Sequence, residues 1–359
     1  MSNSIDIQID SRIKKNERFV IFRLPDTTSC TLIDLSKPAA LDYSFFEDPR
    51  YIEGFVTAPF DETETSGWWF KPVDLLTMQQ IKPQDAPAMT SSKNMKAHHE
   101  GFDEYSKQFL VMMDALNKGA LQKVILSREI KYDLKLHNDL SNLFQQLCHK
   151  YPGAFVYLLS TPETGIWAGA SPELLLKKQQ NTLTTVALAG TRQLHDFDPA
   201  QWNQKELEEQ GFVSNFIDRL LDQFEIGNYQ KNGPAITRAG SVTHLKTAYQ
   251  FKYQPVKGQL GAFIKALHPT PALGGEPKQS AMELIKRVEQ HSRQLYGGYL
   301  GMITEHDLDL FVNIRCMKIE ADHIKIFAGG GLTADSQLQQ EWDEINLKSQ
   351  TLLSVINNL

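Results

Sequence analysis

The sequence predicts an α+β fold in which antiparallel sheets are flanked by outer helices, and three observations carry that prediction. β-type runs follow one another through tight turns, as in "AFVYLLST", "GIWAGASPELLLKK" and "TLTTVALAGTRQ". Strands joined so closely pair antiparallel, because a parallel pair needs a long crossover. The helical stretches fall between groups of strands rather than after each one, which argues against a doubly wound parallel sheet. The length, 359 residues, is enough for a large core in either one domain or two.

The elements can be justified in chain order. Up to about residue 80, "FVIFRL", "CTLIDL", "YIEGFVTAPF" and "SGWWFKP" read as short strands separated by polar or Pro-containing breaks. The stretch 82–101, with two prolines and no periodicity, reads as a connector, and His98 and His99 within it as exposed loop residues. Residues 1–95 thus form a variable, β-rich N-terminal portion and connector integrated with the core, and 96–359 the core itself. "FDEYSKQFLVMMDALNKG" has helical periodicity with Gly119 as its stop. "KVILSREIKYDL" is a strand, and "LSNLFQQLCHK" a helix ended by Tyr151-Pro152-Gly153. After the strands quoted above, "WNQKELEEQGFVSNFIDRLLDQF" is a long helix, and "AITRAGSVTHLKTAYQFKY" alternates like one or two strands. Helices near 258–267 and 278–296 lead to three strands in meander order, "GYLGMIT", "LDLFVNIRCMKIE" and "HIKIFAGGG", and a helix from about 336 to 357 closes the chain.

Bulk properties exclude several classes. A net charge of −6 without a Lys/Arg block gives no reason to expect nucleic acid. Cys30, Cys148 and Cys316 are far apart and lack metal-site spacing, which suits a reducing compartment. The opening residues lack an apolar signal core, and no apolar run is long enough to span a bilayer. A soluble, cytoplasmic protein is the expectation.

Two acidic pairs stand out. In "EWDEINLK", Glu341, Glu344 and Lys348 share a helix face with Ile345 and Leu352, which belong to the apolar stripe. In the long helix, the stripe Val213, Phe216, Ile217, Leu220, Leu221, Phe224 extends backwards through Glu209 and Glu206. One such pair is explained by the preference of a helix's first turn for acids. Two inward pairs with the same spacing, and no His or Cys beside them, suit a hard cation such as Mg²⁺, though spacing alone does not bring the two helices together. Lys123 lies in an apolar strand. Strand lysines more often lie on exposed edges, but one pointing inward could act as a general base. Glu173, past a Gly-Ala-Ser-Pro turn and before three leucines, would be a general acid if burial raised its pKa. "AGGGLTADS" follows a strand as phosphate loops do, yet lacks the Gly-Lys-Ser/Thr ending. Its glycines better suit a close approach to a carboxylate. Thr270 is the free hydroxyl of the rigid loop "LHPTPALGG", and Arg315 interrupts a buried-looking strand, which calls for an anionic partner.

Taken together, "KVILSR", "GASPELLL", "LAGTR", "KELEEQ", "HLKT", "LHPTPALGG", "LYGGYLG", "NIR", "AGGG" and "EWDEINLK" resemble, in order, the motifs of the chorismate-utilising enzymes. That family comprises isochorismate, salicylate, anthranilate and aminodeoxychorismate synthases. The resemblance runs from about residue 100 to the C-terminus. It implies two antiparallel β-sheets packed face to face inside outer helices, with the site between them. It also implies Lys123 as the base that activates water, Glu173 as the acid that helps the 4-hydroxyl leave, and Glu206, Glu209, Glu341 and Glu344 around Mg²⁺. Glu209 and Glu344 are taken as the direct ligands. Gly190, Thr191, His244, Thr270, Tyr296, Arg315, Gly330 and Lys348 match substrate-binding positions.

Within the family, aminodeoxychorismate synthases resemble one another in a lysine where this chain has Ala189, and ammonia-using anthranilate synthases typically have Gln where Lys123 stands. The resemblance is therefore closest to isochorismate synthases: an isomerase converting chorismate to isochorismate for menaquinone or siderophore biosynthesis, without an amidotransferase subunit. Salicylate synthase and a non-catalytic chorismate-binding homologue are the alternatives. Two departures stand out. Gln210 follows Glu209 where the family commonly has His, and Gly330 stands in the usual Gly-Ala-Gly. Altered hydrogen bonding around ligands weakens metal affinity by roughly 10–100-fold, so metal binding is where these departures are expected to tell.

Overall fold

The computed structural model describes residues 5–48, 50, 53–73, 101–193, 202, 204–239, 242–252 and 259–359. In chain order these form α1 (Ile5–Lys14), β1 (Phe19–Arg23), β2 (Thr31–Asp34), β3 (Ala39–Ala40), a 3₁₀ turn (Tyr43–Glu47), β4 (Gly54–Ala58) and β5 (Trp68–Phe70). Next come α2 (Phe102–Asn117), β6 (Lys123–Tyr132), α3 (Leu140–Lys150), β7 (Phe155–Thr161), β8 (Gly165–Ser171), β9 (Leu174–Gln179) and β10 (Thr182–Gln193). The rest are α4 (Gln204–Gln223), β11 (Tyr229–Ala239), β12 (Val242–Lys252), α5 (Gln259–Leu267), β13 (Gly275–Glu276), α6 (Lys278–Val288), β14 (Tyr299–Ile303), β15 (Asp307–Val312), β16 (Cys316–Ile319), β17 (Ile324–Leu332) and α7 (Leu338–Ile356).

The strands make two antiparallel sheets, as the turn lengths require. One runs β13-β6-β17-β16-β8-β7-β1-β2 and the other β11-β12-β10-β9-β15-β14-β4-β5-β3. Side chains alternate between the faces of each strand, so each sheet presents one face to its partner and one to the helices. The facing layer is aromatic: Phe22, Phe155, Tyr157, Trp167 and Phe327 of the first sheet meet Phe55, Phe70, Leu300 and Phe311 of the second. Phe155 and Phe311 stack across it, ring centroids 4.3 Å apart at 3°. On the outside of the first sheet, Ile9, the leucines of α3 and the end of α7 cover Phe19, Ile21 and Val156. α4 lays Val213, Ile217, Leu220 and Leu221, all buried, into the core beside β10 and β12, with which it packs.

Several elements differ from the sequence reading. "LDLFVNIRCMKIE", read as one strand of a three-strand meander, is β15 and β16, and "GIWAGASPELLLKK" is β8 and β9; in each case the chain crosses from one sheet to the other between the two strands. The sequence does not mark α1 as a helix, because "IDIQID" alternates with the period of a strand. Ile9 packs it into the α3 layer, and Arg12 Nη2 ties it to Asp34 Oδ2 at 2.8 Å. α6 stops at Val288 rather than near 296, because Glu289 and Arg293 turn inward to bond the edge of β6. The glycine run Gly329–Gly331 belongs to β17, as the reading of "HIKIFAGGG" as a strand expects, and pairs with Ser127, Leu126 and Ile125 of β6. The connector 82–101, apart from Gly101, lies outside the described residues, as do His98 and His99.

Candidate active site

At one end of the inter-sheet layer the aromatic packing gives way to a cleft of about 700 Å³ of empty space. β6, β10, β12 and β17 contribute to its walls together with α4, α7 and the loop before β13. Lys123, Ile125 and Ser127 share the inward face of β6, while Val124 and Leu126 point the other way into the helix-side core. Lys123 is fully buried, and its Nζ meets Glu209 Oε1 at 2.9 Å. Gly331 of β17 makes room for that pair, and Gly329 for Tyr296. A Cβ on Gly331 would lie 2.6 Å from Glu209 Oε1 and 3.0 Å from Lys123 Cε, and one on Gly329 would lie 2.7 Å from the Tyr296 hydroxyl. Glycine is used here for close approach, as the sequence suggested.

Glu173 follows Ser171, whose Oγ accepts its N–H at 3.3 Å, while its carbonyl accepts from Val312 N at 3.0 Å. The residue is buried in the cleft wall, and burial raises its carboxyl to about 8, against the smaller opposing pull of the Lys123 and Lys348 charges. A carboxyl protonated at neutral pH in the wall of a cleft is what a general acid requires. Across the cleft, Lys348 Nζ donates to the Gly329 carbonyl at 2.9 Å and pairs with Glu344 Oε1 at 2.7 Å. Arg315, at a left-handed φ of 50° between β15 and β16, lines the cleft and donates through Nη1 to Thr351 Oγ1 on α7.

Gly190 sits at a β-bulge between Ala189 and Thr191 with φ 70°, where the backbone of β10 turns toward α4. Its carbonyl takes the His244 Nδ1–H at 3.0 Å, which makes Nε2 the acceptor nitrogen of that ring. His244 is lowered to about 3, mainly by burial and then by Arg315, so it is neutral. The backbone of Thr191 pairs with His244. Tyr296 is buried and stacks on Phe327, centroids 5.5 Å apart at 15°, and both rings line the cleft. Thr270 is buried on the loop that supplies Ala272 and Leu273 to the cleft but does not itself line it, and its hydroxyl has no hydrogen-bond partner among the described residues.

The acidic positions do not gather at one point. Glu209 lies against Gly331, but Glu341 lies against the neighbouring Gly330, where a Cβ would be 3.4 Å from its Oε2. Successive strand residues face opposite sides, so the strand separates these two carboxylates. Glu341 is 1% exposed and accepts from Ser336 Oγ at 2.7 Å. Glu206 lies beneath the Gly190 bulge. Among the described residues, no three His, Cys, Asp or Glu side chains are grouped to hold a metal ion. Glu209 and Glu344 are each ion-paired with a lysine that belongs to the site, Lys123 and Lys348. Gln210 is buried and donates from Nε2 to Ser214 Oγ at 2.9 Å and Thr247 Oγ1 at 2.6 Å, anchoring α4 on β12. Gly330 faces α7, and it is Gly329 that lines the cleft. The walls also include Ile125, Leu188, Leu273, Ile314 and Phe327, which sequence reasoning did not single out. Apolar residues in strands carry no signal that separates a cleft wall from ordinary core.

The site thus combines a glutamate protonated at neutral pH in the cleft wall with a buried lysine behind it, between two antiparallel sheets. The chain's family is consistent with that. The chorismate binding enzyme family matches residues 61–357, and this chain belongs to it. The isochorismate synthase EntC of Escherichia coli (strain K12) is 28% identical over 310 residues, covering 83% of this chain and 79% of its own. The isochorismate synthase MenF of Haemophilus influenzae is 27% identical over 297 residues, covering 79% and 66%. Solved structures share the fold. The menaquinone-specific isochorismate synthase MenF of Escherichia coli matches with a TM-score of 0.79 at 18% identity, covering 97% of this chain and 91% of its own. Anthranilate synthase component I of Streptococcus pneumoniae matches with a TM-score of 0.70 at 18% identity, covering 94% and 92%.

Proposed function

We propose that this chain is an isochorismate synthase, an isomerase that adds water at C2 of chorismate and releases the 4-hydroxyl. Glu173 is the observation that carries the reading. Its carboxyl, raised to about 8, lines the cleft with Lys348 and feels the charge of Lys123, which is buried behind Glu209 of the cleft wall; Glu173 and Lys123 stand at the positions where the family's acid and base fall. Lys123 takes the proton of the attacking water, and Glu173 gives its proton to the departing hydroxyl, so atoms balance as an isomerisation. Ala189, a small residue on the cleft wall, leaves room for the water. Arg315 and Lys348 supply positive charge for the substrate's carboxylates, and Thr270, Tyr296, His244 and the Gly190–Thr191 bulge surround the ring.

Magnesium belongs to the same reading. Glu209 and Glu344 are hard oxygen donors, and Mg²⁺ commonly uses only one or two protein carboxylates beside substrate and water, so a three-residue cluster is not required. Glu206 and Glu341 fall outside direct contact and act through neighbouring groups. Bound there, the cation supplies charge that holds a substrate carboxylate. The reading includes action on chorismate without an amidotransferase subunit, a cytoplasmic location, and a product for menaquinone or siderophore synthesis. No helix among the described residues is long and apolar enough to cross a membrane. Incubation with chorismate, with and without Mg²⁺, followed by chromatography of the products, tests the proposal. Isochorismate alone is expected. Salicylate with pyruvate would make the chain a salicylate synthase, and absence of turnover would make it a non-catalytic homologue.

A further inference from the structure

We infer that Glu289 and Arg293 are positioning residues for this reaction, fixing the strand of Lys123 against the loop of Leu273; the inference rests on the isochorismate synthase reading above. β6 is covered along one edge by β17, from Val124 to Tyr132. Along its other edge, β13 pairs only with Lys123 and Val124, and the next N–H, that of Ile125, reaches the Gly274 carbonyl at 2.9 Å. The following backbone groups on that edge belong to Ile125 and Ser127, whose side chains share the face of Lys123. They would be left open where the strand flanks the cleft. Two side chains complete the edge. Arg293 Nη2 donates to the Ile125 carbonyl at 3.0 Å, and Glu289 Oε1 accepts the Ser127 N–H at 2.7 Å.

The same guanidinium reaches across to the facing loop. Its Nη1 donates to the Leu273 carbonyl at 2.8 Å, while Nε and Nη2 clamp Glu289 at 2.8 Å and 2.6 Å. Phe60 lies under the guanidinium, 4.1 Å from its ring centre, and His291 Nε2 approaches Ser127 Oγ at 3.1 Å. The pair is buried, with side chains 3% and 2% exposed. Tyr296 N–H closes a turn onto the Arg293 carbonyl at 2.8 Å, so a third wall is tied to the same point. Ile125, Leu273 and Tyr296 line the cleft, whereas Glu289 and Arg293 do not. Their effect on the reaction passes through the walls they hold. The guanidinium donates to two carbonyls and to both oxygens of a carboxylate at once, more bonds than the three N–H donors of a lysine can make.

A matched control exists elsewhere in the molecule. Arg23 is equally buried and bridges the carbonyls of Tyr151, Pro152 and Ala154 at 2.6, 2.6 and 3.0 Å, away from the cleft. The experiment compares Arg293→Lys with Arg23→Lys, measuring kcat and KM for chorismate well below each variant's Tm. Both lose thermal stability. Arg293→Lys is expected to lower kcat about 10- to 100-fold, more than it raises KM, because a misplacement near 1 Å costs about that much. Arg23→Lys keeps kcat within about twofold, since the turn from Tyr151 to Ala154 that it braces does not line the cleft. Where Arg293→Lys does not fold, Glu289→Gln, which is isosteric and keeps an acceptor for Ser127 N–H, is compared in its place with the same expectation. A kcat that follows Arg23→Lys would overturn the positioning role while leaving the functional reading intact. No isochorismate from the unsubstituted enzyme would overturn the reading and this inference with it.

Discussion

Glu173→Gln should separate stability from activity in opposite directions, and the size of the effect can be worked from the site. The carboxyl ionises at about 8 in the folded protein against an ordinary 4.5. Between those values the folded state holds a proton that the unfolded state has released, so stability falls as pH rises through the window. Integrating that difference gives a loss of roughly 1 kcal/mol at pH 5, roughly 3 at pH 7 and roughly 5 at pH 9, relative to strongly acidic solution. Glutamine carries no such proton, so the variant escapes the loss. Urea unfolding at pH 5, 7 and 9 should therefore show the variant gaining on the parent by roughly 4 kcal/mol across that range. Its turnover should meanwhile fall by about 10²–10⁴-fold, the usual worth of a general acid. A stability difference that stays flat with pH would mean that Glu173 is ionised in the folded protein, and the acid assignment would fail.

Other perturbations test separate parts of the account. Gly330→Ala should be tolerated and should stabilise by roughly 0.5–1 kcal/mol in urea titrations, because its Cβ would meet Glu341 and Ile345 at 3.4–3.8 Å. Gly331→Ala should lower turnover at least about tenfold, since its Cβ would displace the Lys123–Glu209 pair. His244 and His268 are lowered from 6.5 to about 3 and about 4, chiefly by burial. The folded state thus binds fewer protons, and the stability they support is present above pH 6.5 and lost as pH falls toward 4. By pH 5 the loss is roughly 2 kcal/mol for each, visible as a falling Tm that His268→Asn should make shallower. Glu209→Gln and Glu344→Gln should each abolish Mg²⁺-dependent turnover and the calorimetric heat of Mg²⁺ binding while leaving the fold intact. Near-normal activity in either would remove that residue from the metal assignment.

Much of this architecture was legible because antiparallel strands and amphipathic helices write their periods locally. The stripe from Val213 to Leu221 showed which face of α4 is buried, and the spacing of Glu341, Ile345 and Lys348 did the same for α7. What a one-dimensional pattern cannot show is the path between elements. Glu341 and Glu344 are three residues apart on one helix, yet Glu341 packs on Gly330 while Glu344 reaches Lys348. The side of β17 on which each carboxylate falls depends on how α7 crosses that strand. α6 ended early for a similar reason. Helical propensity continues past Val288, but the open edge of β6 offers Glu289 and Arg293 stronger partners than the next helical turn. Of the aromatic wall, Tyr296 was marked only by the family resemblance and Phe327 not at all, since an aromatic residue in a strand reads as ordinary core.

The source of the new hydroxyl is the most direct test of the central claim that Lys123 and Glu173 add water to one carbon and release hydroxide, as water, from another. Turnover of chorismate in ¹⁸O-enriched water should place the label at the C2 hydroxyl of isochorismate, and the unlabelled 4-oxygen should leave to solvent. Isochorismate formed without the label would mean that the hydroxyl migrates within the substrate, and the acid–base account of this cleft would be wrong.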